Sequence, residues 1–368
     1  MDFSSKIKSD STILSNSSNL QRRYDIDWLR TIAIALLIIY HIVLTFQPWA
    51  KFIGFPANDQ TLTDIWFLMA IVNIWRIPIL FLISGMGVCF AMERRNWKEL
   101  IIDRSLRILL PYLAGIILFE YLITILLEYF ELAFIKITFG HLWFLLNIYL
   151  YTLWLIGVLI YLKDNPNNAL FRLLEKMLHY RYGVLLFTLP FILEAVFVNP
   201  EFFTMFVDSV HGWLLGLISF FTGFLFVSLG ETFWKSVRKI RWETLSIAFI
   251  SYLIRFVIFN FEGTPNILIA FESICWILTI LGFGSIYLNK RSKTLEYFSK
   301  AVYPVYIVHL PIQFALSYYI LPLQLSAEMK LLLLIGCTFC LSLLLYEFVL
   351  RRIKYLRPLF GMKFNQAR

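Results

Sequence analysis

Charged residues are scarce in this chain of 368 residues. Asp, Glu, Lys and Arg together make up 15% of it, whereas about a quarter of the residues of a soluble domain are charged. Hydrophobic residues account for 60% and aromatic residues for 18%. Because a membrane-spanning helix uses about 20 mostly apolar residues, this composition excludes a soluble globular domain. It predicts an all-α integral membrane protein.

Cysteine is also rare, and several enzyme motifs are missing. The four cysteines all lie in apolar stretches and are too few for a secreted disulfide framework. Cys337 and Cys340 lack a second pair that would complete a zinc site, and the chain has neither a phosphate-binding P-loop nor a Gly-x-Ser-x-Gly elbow. No nucleic-acid-binding motif accompanies the net charge of +9. We therefore expect no metal, no permanently bound cofactor and no nucleic-acid partner.

The chain begins with a polar, serine-rich stretch that has no apolar segment beside a small-residue cleavage site. This stretch is therefore not a signal peptide, and residues 1–24 are predicted to form a disordered cytoplasmic tail. Residues 25–352 are predicted to form one membrane domain, and residues 353–368 a basic cytoplasmic tail.

Ten apolar runs, separated by charged or Pro- and Asn-bearing loops, predict about ten transmembrane helices. They lie near residues 28–47, 65–92, 106–127, 141–162, 182–198, 211–230, 244–260, 266–288, 300–321 and 331–350.

The distribution of basic residues supports this count. When the loops are assigned to alternate sides, 27 of the 33 lysines and arginines fall on one side. Basic residues are retained on the cytoplasmic side during insertion, so both termini are predicted to be cytoplasmic. The other side has only Lys51, Lys136 and Lys330, and the remaining three lie inside the apolar runs: Arg30, Arg76 and Arg255.

Ionisable residues inside apolar runs are candidates for a functional site, because each costs at least ~2.5 kcal/mol in hydrocarbon. In the first run, Arg30 and His41 are eleven residues apart. At 100° per residue they share one helix face and are separated by about 16 Å along the axis. Two interpretations stay open: a functional face, or an interfacial anchor at Arg30 with a satisfied polar residue at His41.

Other runs contain similar residues. Arg76 must find either an acidic partner or an anionic ligand, because a guanidinium does not lose its proton. Arg104 and Arg107, one turn apart, could bind phosphates or serve only to set the topology. Glu272 could form a salt bridge with Arg255.

The sequence around His309 reads YPVYIVHLPIQ. Its two prolines free backbone carbonyls near the histidine. This pattern is typical of a cavity wall, although a kink filled by neighbouring helices would look the same.

Several segments together resemble the acyltransferase 3 membrane family. They are RRYDIDWLR followed by His41, RIPILFLISG, the Arg104-Ser-Leu-Arg107 motif, HLWFLL at 141–146 and YPVYIVH at 303–309. The resemblance covers almost the whole chain and agrees with ten helices. Within the family, the order of segments is most similar to the branch that contains the succinyltransferase of periplasmic glucans.

The resemblance implies an enzyme of the bacterial inner membrane that moves an acyl group from cytoplasmic acyl-CoA to a hydroxyl of a periplasmic or cell-surface glycan. Succinyl-CoA or acetyl-CoA would be the donor substrate, and the lipid bilayer, the carbohydrate acceptor and a separate extracytoplasmic protein or a homodimer the expected partners. The predicted roles are catalysis by His41 with Glu272 or His309, acyl-CoA binding by Arg30, Arg76, Arg104 and Arg107, and acceptor binding by His141 and Trp143.

A second interpretation belongs to a different class. In a proton-coupled exporter of a sugar or a lipid-linked glycan, the histidines and glutamates would relay protons. Such an exporter needs no phosphate-binding face on the cytoplasmic side, so binding of acyl-CoA distinguishes the two.

Overall fold

The computed structural model describes residues 22–129 and 140–364. Within these residues the chain forms α-helices joined by short turns and contains no β-strand. The helices are α1 (Tyr24–Leu44), α2 (Trp66–Met92), α3 (Trp97–Arg104), α4 (Leu110–Tyr129), α5 (Trp143–Asp164), α6 (Ala169–His179), α7 (Leu189–Val198), α8 (Val210–Ser228), α9 (Gly230–Lys239), α10 (Arg241–Val257), α11 (Asn266–Tyr287), α12 (Lys293–Ile320) and α13 (Ala327–Leu345).

Each of the ten predicted apolar runs contains a helix in this structure. Among the described residues, six helices are long and apolar enough to cross a membrane: Tyr24–Leu44, Thr63–Met92, Trp143–Asp164, Val210–Ser228, Asn266–Tyr287 and Ala327–Leu350. Of the others, Gly183–Val198 is a shorter apolar helix and α10 has 17 residues. The chain is thus an all-helical, multi-pass membrane protein. Ten spans and cytoplasmic termini remain predictions.

Three helices lie in segments that hydropathy alone leaves as loops. They are α3, α6 and α9, and all three fall in loops that the distribution of basic residues assigns to the cytoplasmic side. A capping box starts α3: the Asn96 side chain accepts a hydrogen bond from the Glu99 amide at 3.0 Å, and Glu99 accepts one from the Asn96 amide at 3.1 Å. This Asn-x-x-Glu pattern is a helix-start signal that can be read from the sequence.

Close packing of α2 on α8 forms the centre of the bundle. A Cβ added at Gly85 would overlap the carbonyl oxygen of Phe220, and one added at Gly223 would overlap that of Leu82. The two helix backbones therefore touch, as small residues permit in membrane proteins. On the other side of α2 lies α1, which in turn packs against α12. This order brings the face of α1 that carries His41 against the helix that carries His309.

Part of the predicted C-terminal tail packs on the bundle. Phe360 is buried, and its ring lies 6.3 Å from that of Phe119 on α4. The next residue, Gly361, has a φ of +72°, and a side chain there would overlap the ring of Tyr303. Residues 353–364 are therefore held beside the start of α4, where Arg107 lies. Residues 1–21 of the predicted N-terminal tail lie outside the described residues.

The contact between α2 and α8 predicts that an added methyl group destabilises the protein at Gly85 but not at Gly157. We expect Gly85→Ala to lower the melting temperature of the purified protein, because the new Cβ must push the two backbones apart, a kind of overpacking that costs about 1–3 kcal/mol. Gly157→Ala on α5 is the matched control, since a Cβ there meets no atom within 4 Å. Equal melting temperatures for the two variants would contradict the close contact.

Candidate active site

Two histidines from distant parts of the chain meet inside the bundle. Nδ1 of His41 on α1 lies 3.0 Å from Nε2 of His309 on α12. The two rings are nearly parallel, with their centroids 5.3 Å apart. His309 is fully buried, whereas His41 retains partial exposure. We call these two residues the histidine pair.

A second hydrogen bond of His309 determines where the protons of the pair reside. Nδ1 of His309 lies 2.6 Å from the carbonyl oxygen of Tyr306. A carbonyl only accepts, so this nitrogen carries a hydrogen. With His309 neutral, its Nε2 is an acceptor, and Nδ1–H of His41 donates to it. Nε2 of His41 is then left with a free lone pair and forms no hydrogen bond to the described residues, which is the state a general base requires.

The prolines of α12 create a second attachment beside the pair. Pro311 has no amide hydrogen, so the carbonyl of Ile307, four residues earlier, lacks its helical donor. Nε2 of His141 donates to that carbonyl at 3.0 Å. The His141 ring centroid lies 5.3 Å from that of His309. For Pro311, the prediction of a freed carbonyl near His309 is confirmed, and this carbonyl holds the segment before α5 against α12.

Gln313 connects α12 to α1 by hydrogen bonds, one helical turn beyond the histidine pair. Its side-chain amide donates to the carbonyl of His41 at 2.9 Å and lies 3.3 Å from the hydroxyl of Thr45. Both Gln313 and Thr45 are buried. Since hydrogen bonds in a dry environment are strong, this contact fixes the axial position of His41 relative to His309.

Arg76 on α2 lies at the level of His41 and has no acidic partner among the described residues. Its guanidinium stacks on the ring of Tyr40, 3.5 Å from the centroid, and one Nη donates to Asn73 at 3.0 Å. Its Nε is buried without a hydrogen-bond partner. Arg76 is close enough to His41 to interact with it electrostatically. The sequence left two possibilities for Arg76, an acidic partner or an anionic ligand. The described residues provide no acidic partner.

Glu272, predicted as a partner of His41, is bound elsewhere. Its carboxylate forms a bidentate ion pair with Arg255 on α10, at 2.9 and 3.1 Å. Trp276 donates to the same carboxylate at 3.2 Å, and Arg255 also donates to the carbonyl of Ala70 at 2.8 Å. This buried network is the alternative that the sequence left open for Glu272, and it joins α10 and α11 to α2. His309, not Glu272, is hydrogen-bonded to His41.

The two predicted acceptor contacts also have structural partners. His141 is hydrogen-bonded to the backbone of α12, as described above. Trp143 is buried at the start of α5, where its ring lies 5.8 Å from that of Phe81. Within the described part of the chain, Trp143 forms no hydrogen bond or ring contact with the histidine pair, and acceptor binding by either residue stays a prediction.

Two of the four predicted donor-binding arginines, Arg30 and Arg104, lie close together near the start of α1, whereas Arg76 lies at the level of His41. Nη2 of Arg30 and Nη2 of Arg104 lie 3.8 and 3.9 Å from the position of a Cβ at Gly87. The two guanidiniums therefore flank the same glycine, although 74 residues separate them in the sequence. Gly87 thus faces two cations, and a Cβ there would lie at van der Waals distance from both, whereas Gly85 lies in a helix contact.

Arg104 is the arginine of this group without a carboxylate partner among the described residues. Arg107 and Arg95 both bind Asp103, at 2.9 and 3.1 Å, whereas Nε of Arg104 is buried without a hydrogen-bond partner. Burial lowers the pKa of Arg104 to about 10, with Asp103 opposing the shift and the charges of Arg30, Arg95 and Arg107 adding to it. Arg104 is still a cation at neutral pH, and an anion between it and Arg30 would relieve their repulsion.

A π-helical turn connects α3 to α4 at Ser105–Leu109. It adds one residue to the turn that carries Arg107, which changes the direction of this side chain relative to Arg104. Such turns are often found at functional sites. The hydroxyl of Ser105 lies 3.0 Å from that of Tyr149 on α5, which fixes the turn against the bundle.

The polar groups lie at two levels of the bundle. On α1, His41 follows Arg30 by eleven residues, and on the antiparallel helix α2, Gly87 follows Arg76 by eleven. Eleven residues correspond to about 16 Å along a helix. One level therefore holds His41, His309 and Arg76, and the other holds Arg30 and Arg104 around Gly87.

No group of three or more histidine, cysteine, aspartate or glutamate side chains could hold a metal ion within residues 22–129 and 140–364. What the geometry offers instead is a neutral imidazole with a free nitrogen, inside a helical membrane bundle, and two arginines from different helices, Arg30 and Arg104, that face each other across Gly87. These features are typical of a membrane enzyme that uses a base and an anionic substrate.

The comparisons with known proteins identify the family. A family model described as an acyltransferase domain, of the acyltransferase 3 type, matches residues 23–347. The chain therefore belongs to the acyltransferase 3 family, as the sequence motifs predicted. Comparison with curated proteins and with solved structures finds no match.

The hydrogen bonds of the histidine pair predict a specific tautomer that can be measured. We expect His41 to be neutral with its hydrogen on Nδ1, because its Nδ1 donates to His309. Nitrogen-15 NMR of histidine-labelled protein would show this, since the chain has only five histidines and His41→Ala would assign the signal. In His309→Ala the fixed tautomer should be lost. A hydrogen on Nε2 of His41 in the wild-type protein would contradict the arrangement.

Proposed function

We propose that this protein is a membrane O-acyltransferase that moves an acyl group from cytoplasmic acyl-CoA to a hydroxyl of a periplasmic or cell-surface glycan, with His41 as the general base. The observation that carries the proposal is the free Nε2 of His41, held in place by His309, on the same helix face as Arg30. Membership of the acyltransferase 3 family supports the acyl-transfer class. The succinyl or acetyl donor, the glycan acceptor and the role of His41 are parts of the proposal.

The two polar levels suit the two ends of acyl-CoA. Arg30, Arg104 and Arg107 would bind the phosphates of coenzyme A, because guanidinium groups form strong, geometrically matched hydrogen bonds with phosphate oxygens. The pantetheine arm would then extend along α1 and bring the thioester toward His41, about 16 Å away. Gly87 supports this placement, since a side chain there would occupy the space between the arginines.

The chemical step requires a proton to leave the acceptor and to reach the thiolate. Nε2 of His41 takes the hydrogen of the acceptor hydroxyl while its oxygen attacks the thioester carbon. The resulting tetrahedral intermediate loses the sulfur of coenzyme A, and the new imidazolium returns the proton to it. The products are the acyl ester and free coenzyme A. His309 holds His41 in the tautomer that can accept the proton, so its role is to orient the base.

Ten spans with both termini in the cytoplasm fit this reaction, because they place Arg30 and Arg104 on the side that contains acyl-CoA. The bacterial inner membrane is the location that separates such a donor from a periplasmic acceptor. A separate extracytoplasmic protein or a second copy of the chain remains a candidate partner for the acyl group's delivery.

Removal of the base tests the proposed mechanism. We expect His41→Ala to insert and fold but to lose acyl transfer by a factor of about 10²–10⁴, the usual contribution of a general base. The assay is release of free coenzyme A together with mass spectrometry of the acylated glycan. His179→Ala is the matched control, because His179 lies on α6 outside the histidine pair and is exposed. Wild-type activity of the His41 variant would refute the mechanism.

The arginines test the class of protein as well as the donor site. In Arg104→Gln we expect the Kd for coenzyme A to rise about tenfold or more, because a charge-assisted hydrogen bond contributes about 1.5–3 kcal/mol. Added salt should weaken binding to the wild-type protein, and less so to the variant. Titration calorimetry measures both.

Arg172→Gln on α6 is the control for Arg104, since Arg172 is exposed and should leave coenzyme A binding unchanged. If the wild-type protein binds neither coenzyme A nor any acyl-CoA, the acyltransferase proposal fails. A proton-coupled exporter of a sugar or a lipid-linked glycan then becomes the better interpretation.

A further inference from the structure

Arg76 differs from the other buried intramembrane arginine of this protein. Arg255 is 5% exposed and is neutralised by the bidentate ion pair with Glu272 and by the carbonyl of Ala70. Arg76 is equally buried, at 6% exposed, yet no carboxylate among the described residues lies within 4 Å of it. Because an unpaired charge in a dry interior is costly, a position that keeps one is a candidate for binding an anion.

The surroundings of Arg76 leave part of its guanidinium without a hydrogen-bond partner. Tyr40 covers one face of the plane, and Asn73 accepts from one Nη. Nε is buried and has no partner. A planar guanidinium with free edge donors is suited to bind a carboxylate through two parallel hydrogen bonds. Tyr40 holds the plane in place, so the edge is oriented before the ligand arrives.

The position of Arg76 indicates which part of the substrate carries that anion. Arg76 lies near His41, where the acyl carbon must react, and eleven residues along α2 from Gly87, about 16 Å away. The phosphates of coenzyme A are assigned to the arginines around Gly87 in the proposed function. An anion at Arg76 must therefore come from the acyl end of the donor or from the acceptor.

We propose that Arg76 selects the acyl group: its guanidinium binds the free carboxylate at the far end of a dicarboxylic acyl chain, an inference that rests on the acyl-CoA donor of the proposed function. A neutral acyl group of the same length leaves the buried cation unpaired, and sites built around a buried polar group reject ligands that lack the matching group. The carboxylate also cancels the repulsion that Arg76 would exert on His41 once His41 has taken a proton.

The test measures binding of donors in the absence of any acceptor, which separates an acyl carboxylate from one on the glycan. Titration calorimetry on the detergent-solubilised full chain compares succinyl-CoA with butyryl-CoA, in which a methyl group replaces the carboxylate. For the wild-type protein we expect a Kd for succinyl-CoA at least tenfold lower than that for butyryl-CoA. Equal affinities for the two donors would overturn the proposal, because they would mean that no group in the acyl pocket recognises the carboxylate.

Variants of Arg76 test whether the preference for succinyl-CoA over butyryl-CoA depends on this residue. In Arg76→Met we expect the Kd for succinyl-CoA to rise at least tenfold while that for butyryl-CoA stays within threefold. Arg76→Lys, which keeps the charge but not the fork of donors, should recover part of the loss. An equal loss for both donors would make Arg76 a residue of the reaction centre or of the fold, and would contradict its role in selection.

Two further outcomes are decisive. If Arg76→Met does not fold, the methyl ester of succinyl-CoA is compared with succinyl-CoA on the wild-type protein, since the ester removes the charge without changing the chain. Equal binding of the two then overturns the proposal. Failure of the proposed function looks different, because coenzyme A itself and both acyl-CoA donors would fail to bind to the wild-type protein.

Discussion

The structure depends on the cost of leaving a polar or charged group without a partner in a membrane interior. Most such groups in this bundle are paired with one another. Glu272 and Arg255 form an ion pair, and His211 lies between Glu194 and the carbonyl of Phe203, at 2.8 and 2.9 Å. Both networks join separate helices. The groups that remain unpaired therefore point to a functional site, because the fold pairs such groups elsewhere in the bundle.

Two of these unpaired groups lie at the same level of the bundle and belong to different helices. Nε2 of His41 lacks a hydrogen-bond partner among the described residues, and so does Nε of Arg76. The neighbours of both residues are well ordered by contacts: His309 and Gln313 hold His41, and Tyr40 holds Arg76. A preorganised site requires reactive groups that are free to bind and neighbours that hold those groups in place.

Hydropathy predicted ten apolar runs, each of which contains a helix in the structure. The rotation of 100° per residue predicted that Arg30 and His41 share one face of α1. Both predictions follow from local sequence. The partner of His41 could not be predicted in the same way. Glu272 and His309 were equally acceptable in the sequence, and the choice depends on which helix packs beside α1. The effect of Pro311 on its surroundings could be predicted, because a proline always removes the amide hydrogen that would bind the carbonyl four residues earlier.

Gly85 and Gly87 show the same limit from another direction. Both are small residues of α2, two positions apart, and residue type alone does not distinguish their surroundings. Gly85 lies against the backbone of α8, whereas Gly87 faces the guanidiniums of Arg30 and Arg104. Two residues along a helix correspond to a rotation of about 200°, so neighbours of identical type meet opposite surroundings. Only the three-dimensional arrangement separates a glycine that packs against a helix backbone from one that faces two guanidinium groups.

Adjacent residues of α1 position both unpaired groups. Tyr40 stacks on Arg76 of α2, and His41 is hydrogen-bonded to His309 of α12. Successive side chains of a helix diverge by about 100°. A single turn of α1 therefore contacts Arg76 on α2 through Tyr40 and His309 on α12 through His41. In the proposed reaction, this short segment of α1 therefore contacts both the arginine assigned to the acyl carboxylate and the histidine that orients the base.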